Sequence, residues 1–150
     1  MLKNIDPLLS ADLLFALRSM GHGDDIIIGD ANFPGDAIAR ETTFGRVIRT
    51  DCVSTAEIVK AILSVMPLDN FVEDAAGRMQ LVHAADEIPP VQQEVQDAID
   101  ASEKDAPKLL AIERFAFYKR AKQAYCVIQT GERRPYGCIA LRKGVVGPDG

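Results

Sequence analysis

A run of three isoleucines, Ile26–Ile28, constrains the fold more than any other feature, because it is uninterrupted and lies between segments that contain Gly and Asp. A short strand with apolar side chains on both faces is typical of a sheet that helices cover on both sides. Helical patterns flank this run: Ser10 precedes a stripe of leucines that ends near Gly21, and a capping-box pattern, Ser54 to Glu57, begins another. This alternation predicts an α/β fold.

The same alternation continues along the whole chain. No repeat or linker interrupts it, which predicts one domain over residues 1–150, with helices on both faces of a central sheet that is mainly parallel and mixed at its edge. This is a three-layer α/β/α arrangement. Predicted helices span residues 10–20, 54–66, 89–99 and 113–123, and predicted strands span residues 26–28, 47–53, 78–83, 125–130 and 138–142.

Composition excludes several classes of protein. Apolar residues make up 47% of the chain, which is enough for a core, yet no apolar run approaches the roughly 18 residues that span a bilayer. Three cysteines without a C-x-x-C pair predict reduced thiols, and charged residues where a signal peptide is apolar predict a cytoplasmic protein. A net charge of −5 gives no support to a nucleic-acid partner.

Charge is unevenly distributed along the chain. Residues 1–103 carry 7 basic and 18 acidic groups, whereas residues 104–150 carry 10 and 4. Two main interpretations are open: the two segments intermix on one folded surface, or unlike patches meet head to tail between identical subunits, as in a closed ring. Binding of a polyanion by the basic segment is a third interpretation.

His22 is the first candidate for chemistry, because it follows a predicted helix C-terminus in a polar, glycine-containing loop. The partial negative charge of that helix end, together with Asp24, Asp25 or Asp30, favours a protonated imidazole that donates a proton near neutral pH. The alternative is a histidine that only caps the helix or lies in solvent.

Asp30 follows the isoleucine strand after Gly29, at the edge where open α/β sheets place ligand-binding groups. It is suited either to accepting two sugar hydroxyls or to starting a turn. A straight strand would separate it from His22 by up to about 26 Å. A site that contains both therefore requires a bend at Gly23 and Gly29, or a second subunit that supplies one of the two side chains.

Arg114 and Tyr118 lie four residues apart and therefore share one helical face. They either bind hydroxyls in a pocket or edge a helix whose Phe115 and Phe117 enter the core. The segment Tyr136-Gly-Cys138 begins the last strand, and by itself it predicts a turn with an aromatic plug.

The other candidates predict no further site. His83 and Tyr125 fall on predicted strands, where partly buried structural residues are expected. The sequence contains no H-E-x-x-H, G-x-G-x-x-G, Walker A or G-x-S-x-G pattern. Metal, nucleotide and serine-hydrolase chemistry are therefore not expected.

Several blocks together resemble the RbsD/FucU family of sugar mutarotases, and the fucose branch is the closer one. They follow one another in the family's order, so the resemblance covers nearly the whole chain. The blocks are Met1-Leu-Lys with Pro7-Leu8, Met20 to Pro34, Arg114-Phe-Ala-Phe-Tyr118, Thr130-Gly-Glu-Arg133, Tyr136-Gly137 and Lys143-Gly144-Val145.

The resemblance implies an isomerase without cofactor or metal that interconverts the α and β anomers of L-fucose or a related monosaccharide. It also implies a homo-oligomeric ring, often a decamer of two pentamers, with the site between subunits. His22 is implied as the proton donor, and Tyr136 as a group that relays a second proton or stacks on the sugar. The residues implied to bind the sugar are Asp30, Arg114 and Tyr118, with Tyr136, Gly137 and Cys138 completing the pocket from an adjacent subunit.

Cys138 departs from the family's pattern, which has asparagine at this position. A thiol does not replace an amide group that both donates and accepts hydrogen bonds. Two alternatives to L-fucose mutarotation therefore stay open: a ribose-type enzyme acting on another pentose or deoxyhexose, and a sugar-binding accessory of transport that has lost catalysis.

Overall fold

The computed structural model describes residues 2–148, in which five helices alternate with six strands. As predicted, Ser10 caps the first helix, and Ser54 forms a capping box with Glu57 at the third. Helices α1 to α5 span Ala11–Ser19, Gly35–Ala39, Thr55–Leu63, Pro90–Ser102 and Arg114–Gln123. Strands β1 to β6 span Asp25–Gly29, Val47–Thr50, Ala76–Met79, Leu110–Ile112, Cys126–Thr130 and Ile139–Arg142.

The strands form one sheet in the order β2-β5-β1-β6-β3-β4. Strand β6 is antiparallel to both of its neighbours, β1 and β3, whereas the other pairs are parallel. The sheet is mixed, but its antiparallel strand lies in the interior and not at the predicted edge. The connection explains the antiparallel direction of β6, because only residues 131–138 join β5 to β6, and a parallel return needs a crossover of a dozen or more residues.

Helices cover both faces of this sheet, which confirms the three-layer α/β/α prediction. Ile26 and Ile28 face a core formed with α1, α3 and α4, while Ile27 faces a second core formed with α2 and α5. All three side chains are fully buried. Burial of each isoleucine is worth about 1.5–3 kcal/mol, so β1 holds the two layers together.

The predicted strand over residues 78–83 is wrong. The strand is β3, Ala76–Met79, and His83 is exposed in the following turn instead of partly buried. The incomplete alternation was misleading because Arg78, which it assigned to a polar face, is buried and donates to carbonyl groups of the chain. Tyr125 is partly buried as expected, although it lies just before β5.

Two other local predictions also fail. Only Phe117 enters the core, whereas Phe115 is largely exposed. Gly21, at the end of the leucine stripe, suits a left-handed helix cap by its sequence position, but the glycine with a positive φ after α1 is Gly23. Helix α2 and strand β4 were not predicted, because five and three residues are too few to show a period.

Opposite charges of the two segments pair within one chain, which favours the first interpretation of the charge asymmetry. Asp25, on β1, binds Arg120 at 2.8 Å and Arg142 at 3.1 Å. Asp74 binds Arg142 at 2.7 Å. Among residues 2–148, no helix has both the length and the hydropathy that crossing a bilayer requires.

Candidate functional site

Asp30 lies where β1 ends, and its carboxylate is almost fully buried. The backbone amide of Asn32 donates to one carboxylate oxygen at 2.9 Å, and the Cys138 thiol lies 3.5 Å from the other. Burial and the neighbouring Asp30 charge raise the pKa of Cys138, so the thiol stays protonated and acts as a donor. Asp30 is thus both a turn former and a carboxylate with a fixed orientation.

Residues 136–138 lie beside this carboxylate in the same chain. A Cβ atom on Gly137 would be 2.9 Å from Thr55 Oγ1 and 3.4 Å from the Cβ of Asp30, so only glycine fits this position. Thr55 Oγ1 donates to the Gly137 carbonyl at 2.9 Å. The structure therefore brings Asp30, Gly137 and Cys138 together within one subunit, whereas the resemblance implies that Gly137 and Cys138 reach the pocket from an adjacent one.

His22 lies at the opposite end of β1. Its Nε2 atom is 3.0 Å from Oδ2 of Asp69, and its side chain is 49% exposed while that of Asp69 is 3% exposed. The Phe71 amide donates to Oδ1 of Asp69, and the exposed Phe71 ring stands edge-on to the imidazole at 5.8 Å. The imidazole is therefore held on one side and open on another.

The pKa of Asp69 is lowered although its carboxylate is nearly buried. Burial acts to raise this pKa, but the hydrogen bonds from Phe71 and His22 and the nearby charge of Arg142 outweigh it. Asp69 is therefore ionised at neutral pH. Sequence reasoning missed it, because 47 residues separate it from His22 and no spacing marks the pair.

The alternative that His22 caps α1 does not hold. Lys143 takes this place: its Nζ donates to the carbonyls of Leu17 and Met20, at 2.8 and 2.6 Å. The Gly23 amide donates to the Lys143 carbonyl at 2.9 Å, which fixes the His22 loop against the segment after β6. His22 is thereby directed to Asp69.

His22 and Asp30 do not meet within one chain. They flank the two ends of β1, whose five residues extend about 13 Å between the first and last Cα atoms. Gly23 has a positive φ of 86°, as a bend requires, but Gly29 continues the strand and leaves room for the Phe33 ring instead. A site that contains both side chains needs two subunits.

Arg114 and Tyr118 lie on α5. Strand β4 runs parallel to β1, so Arg114, which follows β4, lies at the same end of the sheet as Asp30 but three strands away. The guanidinium of Arg114 stacks on the Phe115 ring at 4.8 Å. Tyr118 packs on Phe33, with ring centroids 5.9 Å apart. It borders an open hollow of about 570 Å³ that lies between α2 and α5.

No group of three or more His, Cys, Asp or Glu side chains among residues 2–148 is arranged to hold a metal ion. The polar groups near the two ends of β1 include an imidazole held by a carboxylate at one end and a buried carboxylate with hydrogen-bond donors at the other. These groups suit proton transfer and hydroxyl binding.

The fold and these groups define a class, a three-layer α/β protein with polar groups suited to acid–base chemistry on a small polar ligand. Comparison with known proteins makes the class specific. The sequence profile of the RbsD / FucU transport protein family matches residues 3–146. The chain belongs to this family.

Individual relatives agree over nearly the whole length. An L-fucose mutarotase of Histophilus somni is 39% identical over 145 residues, which cover 97% of each chain. The crystal structure of the fucose mutarotase from Streptococcus pneumoniae in complex with L-fucose has a TM-score of 0.87 at 38% identity, over 97% of this chain and 100% of that one. The crystal structure of protein Atu2016 has a TM-score of 0.95 at 58% identity, over 98% and 97%.

Proposed function

We propose that this protein is a mutarotase, an isomerase that interconverts the α and β anomers of L-fucose or a related monosaccharide without a cofactor. The similarity to an L-fucose mutarotase over 97% of both chains supports the reaction class. The observation in the structure that carries the proposal is the His22–Asp69 pair, a half-exposed imidazole held by an ionised, nearly buried carboxylate.

The reaction needs only proton transfers. Protonated His22 donates its proton to the ring oxygen of the sugar while a base removes the proton of the anomeric hydroxyl. The bond between the anomeric carbon and the ring oxygen breaks, its electron pair goes to that oxygen, and an open aldehyde results. Rotation about the adjacent carbon–carbon bond and the reverse transfers give the other anomer. A positioned acid or base contributes about 10²- to 10⁴-fold.

Asp69 determines how His22 takes part. Because Nε2–H of the imidazole points at Oδ2 of Asp69, Nδ1 is the nitrogen left to exchange a proton with the sugar. The buried carboxylate also holds the ring in one orientation, with Nδ1 directed away from Asp69. Asp69 is therefore a positioning residue for His22.

The remaining site is contributed by a neighbouring subunit. His22 and Asp69 of one chain face Asp30 and Tyr136 of the next. This arrangement is supported by the positions of His22 and Asp30, which flank opposite ends of β1 and do not meet within one chain. Such a head-to-tail contact closes into a ring, which we propose to be a decamer of two pentamers. A 16.3 kDa monomer in sedimentation velocity would contradict this assembly.

Sugar hydroxyls are bound by groups at the edge of the sheet that carries Asp30. The carboxylate of Asp30 accepts two hydroxyls, and Arg114 and Tyr118 add a guanidinium and a phenol from α5. Gly137 and Cys138 form the wall next to Asp30, with Tyr136 against the ring. Position 138 carries a thiol that donates to Asp30. This wall therefore offers the sugar no side-chain amide that could both donate and accept hydrogen bonds.

The unpaired thiols of Cys52, Cys126 and Cys138 support a reducing compartment, so we place the protein in the cytoplasm.

Saturation-transfer NMR of equilibrating L-fucose tests the activity directly. Wild-type protein should accelerate anomer exchange, and His22→Ala should lose at least about 100-fold of this acceleration. His83→Ala is the matched control, because the second histidine is exposed in the turn after β3, takes no part in the proposed chemistry and should keep full activity when replaced. Full activity of His22→Ala, or no acceleration by the wild type, would overturn the proposal.

The same experiment on a panel of sugars decides the substrate. D-ribose and other pentoses or deoxyhexoses exchanging faster than L-fucose would favour the ribose-type alternative, which the Cys138 wall motivates. Saturable binding without acceleration of any sugar would identify a binding accessory.

A further inference from the structure

The loop that carries Tyr136 has a strained backbone that neighbouring groups must hold. Tyr136 has a φ of 64°, in the left-handed region that residues other than glycine rarely adopt. Such a conformation persists only where the surrounding structure determines it. The group in contact with its backbone is Gln92 of α4, a fully buried side chain whose Nε2 donates to the Tyr136 carbonyl at 2.8 Å.

Arg78 determines which way the Gln92 amide points. Its buried guanidinium donates to Gln92 Oε1 at 3.1 Å. Because a guanidinium has no acceptor, it must face the oxygen of the amide, which directs both Nε2 hydrogens towards the carbonyls of Met79 and Tyr136. Arg78 is itself held by two main-chain carbonyls of the segment before α4.

These bonds connect three elements that are distant in sequence. Strand β3 holds Arg78, Arg78 orients Gln92 on α4, and Gln92 holds the loop between β5 and β6. Chains of satisfied buried hydrogen bonds select one arrangement, because each member leaves a costly unpaired group if another is lost. Nothing in the mutarotase chemistry proposed above uses Arg78 or Gln92.

We propose that Gln92 is a positioning residue for Tyr136 in the sugar site. The inference rests on the proposed function, and Gln92 acts only through the Tyr136 backbone. Without this donor, Tyr136 relaxes from its left-handed conformation and its phenol leaves the sugar. In the site proposed above Tyr136 lies against the sugar ring, whereas His22, which donates the proton, lies at the other end of β1 and is unaffected. Sugar affinity therefore falls while the rate at saturation changes little.

The test compares two glutamines on one helix. Gln92→Met has a similar shape without a donor, whereas Gln96→Met, one turn further on, also removes three side-chain hydrogen bonds, to Asp100, Pro107 and Leu109. Gln92→Met should raise KM for the accelerated sugar about three- to tenfold with kcat within twofold, because one of the three hydrogen bonds it removes is the bond that holds Tyr136. Gln96→Met should leave KM unchanged. Equal KM values in both variants would overturn the inference.

Hydrogen exchange by mass spectrometry supplies a readout that does not depend on activity. Gln92→Met should speed exchange in residues 131–138 and leave α4 protected, whereas a merely structural role would loosen α4 in both variants. Gln92→Glu is the second variant, because it keeps the Arg78 contact and still cannot donate to Tyr136. Unchanged exchange of the loop in Gln92→Glu refutes the positioning role, whereas wild-type protein without mutarotation refutes the proposed function alone.

Discussion

Replacement of Glu132 with glutamine should remove a pH-dependent part of the stability of this protein. The Glu132 carboxylate is 5% exposed and accepts three hydrogen bonds from Arg134, from its amide at 3.0 Å and from two guanidinium nitrogens at 2.9 and 2.8 Å. The side-chain bonds of Arg134 outweigh the opposing effect of burial and lower the pKa of Glu132 to about 2. The carboxylate lies in the loop that carries Tyr136.

The magnitude follows from this pKa. Lowering it from an ordinary 4.5 to about 2 corresponds to about 3 kcal/mol, since each pKa unit is worth about 1.4 kcal/mol. The Arg134 side chain is 44% exposed, and solvent screening reduces this to about 1 kcal/mol. Because the folded-state pKa is the lower one, the stabilisation is complete above about pH 4.5 and is lost as the pH falls towards 2.

Urea unfolding at a fixed protein concentration measures the effect. Glu132→Gln should be less stable than the wild type by about 1 kcal/mol at pH 7 and by markedly less at pH 3. Glu94→Gln is the matched control, because it removes the other partner of Arg134, which is 46% exposed, and should cost only a few tenths of a kcal/mol. A difference between wild type and Glu132→Gln that stays constant from pH 7 to pH 3 would refute the reasoning.

Two further predictions concern the site. Asp69→Asn keeps the size of the side chain but removes the charged partner of His22, so anomer exchange in saturation-transfer NMR should fall at least about tenfold in protein that still unfolds cooperatively. Wild-type exchange in this variant would contradict the positioning role. Cys138→Asn introduces an amide beside Asp30 and should change the ratio of exchange rates for L-fucose and D-ribose about three- to tenfold, and an unchanged ratio would mean that Cys138 does not face the sugar.

Local patterns predicted those parts of the fold that depend on neighbours in the sequence. The capping box at Ser54, the buried isoleucine strand and the alternation of layers were all confirmed, because each depends on a period or cap within a few residues. The position of β6 was not predictable in this way. It depends on which strand edge is free when the chain returns from β5, and that is a property of the assembled sheet.

The candidate site divides in the same way. His22, Asp30 and Tyr136 were candidates from the sequence because they belong to compact blocks that resemble one family. Asp69 and Gln92 were not among these candidates, since each contacts a residue more than 40 positions away, and only the packed structure brings the partners together.

The sequence by itself determined the layers of this protein, the isoleucine strand at its centre and the family whose motifs it carries, because these follow from residue type and short-range spacing. Only the tertiary structure decided that Asp69 holds His22, that Cys138 faces Asp30 and that these two pairs lie at opposite ends of β1. The physical reason is that contacts over long sequence separations depend on how strands and helices pack, and no local pattern encodes them.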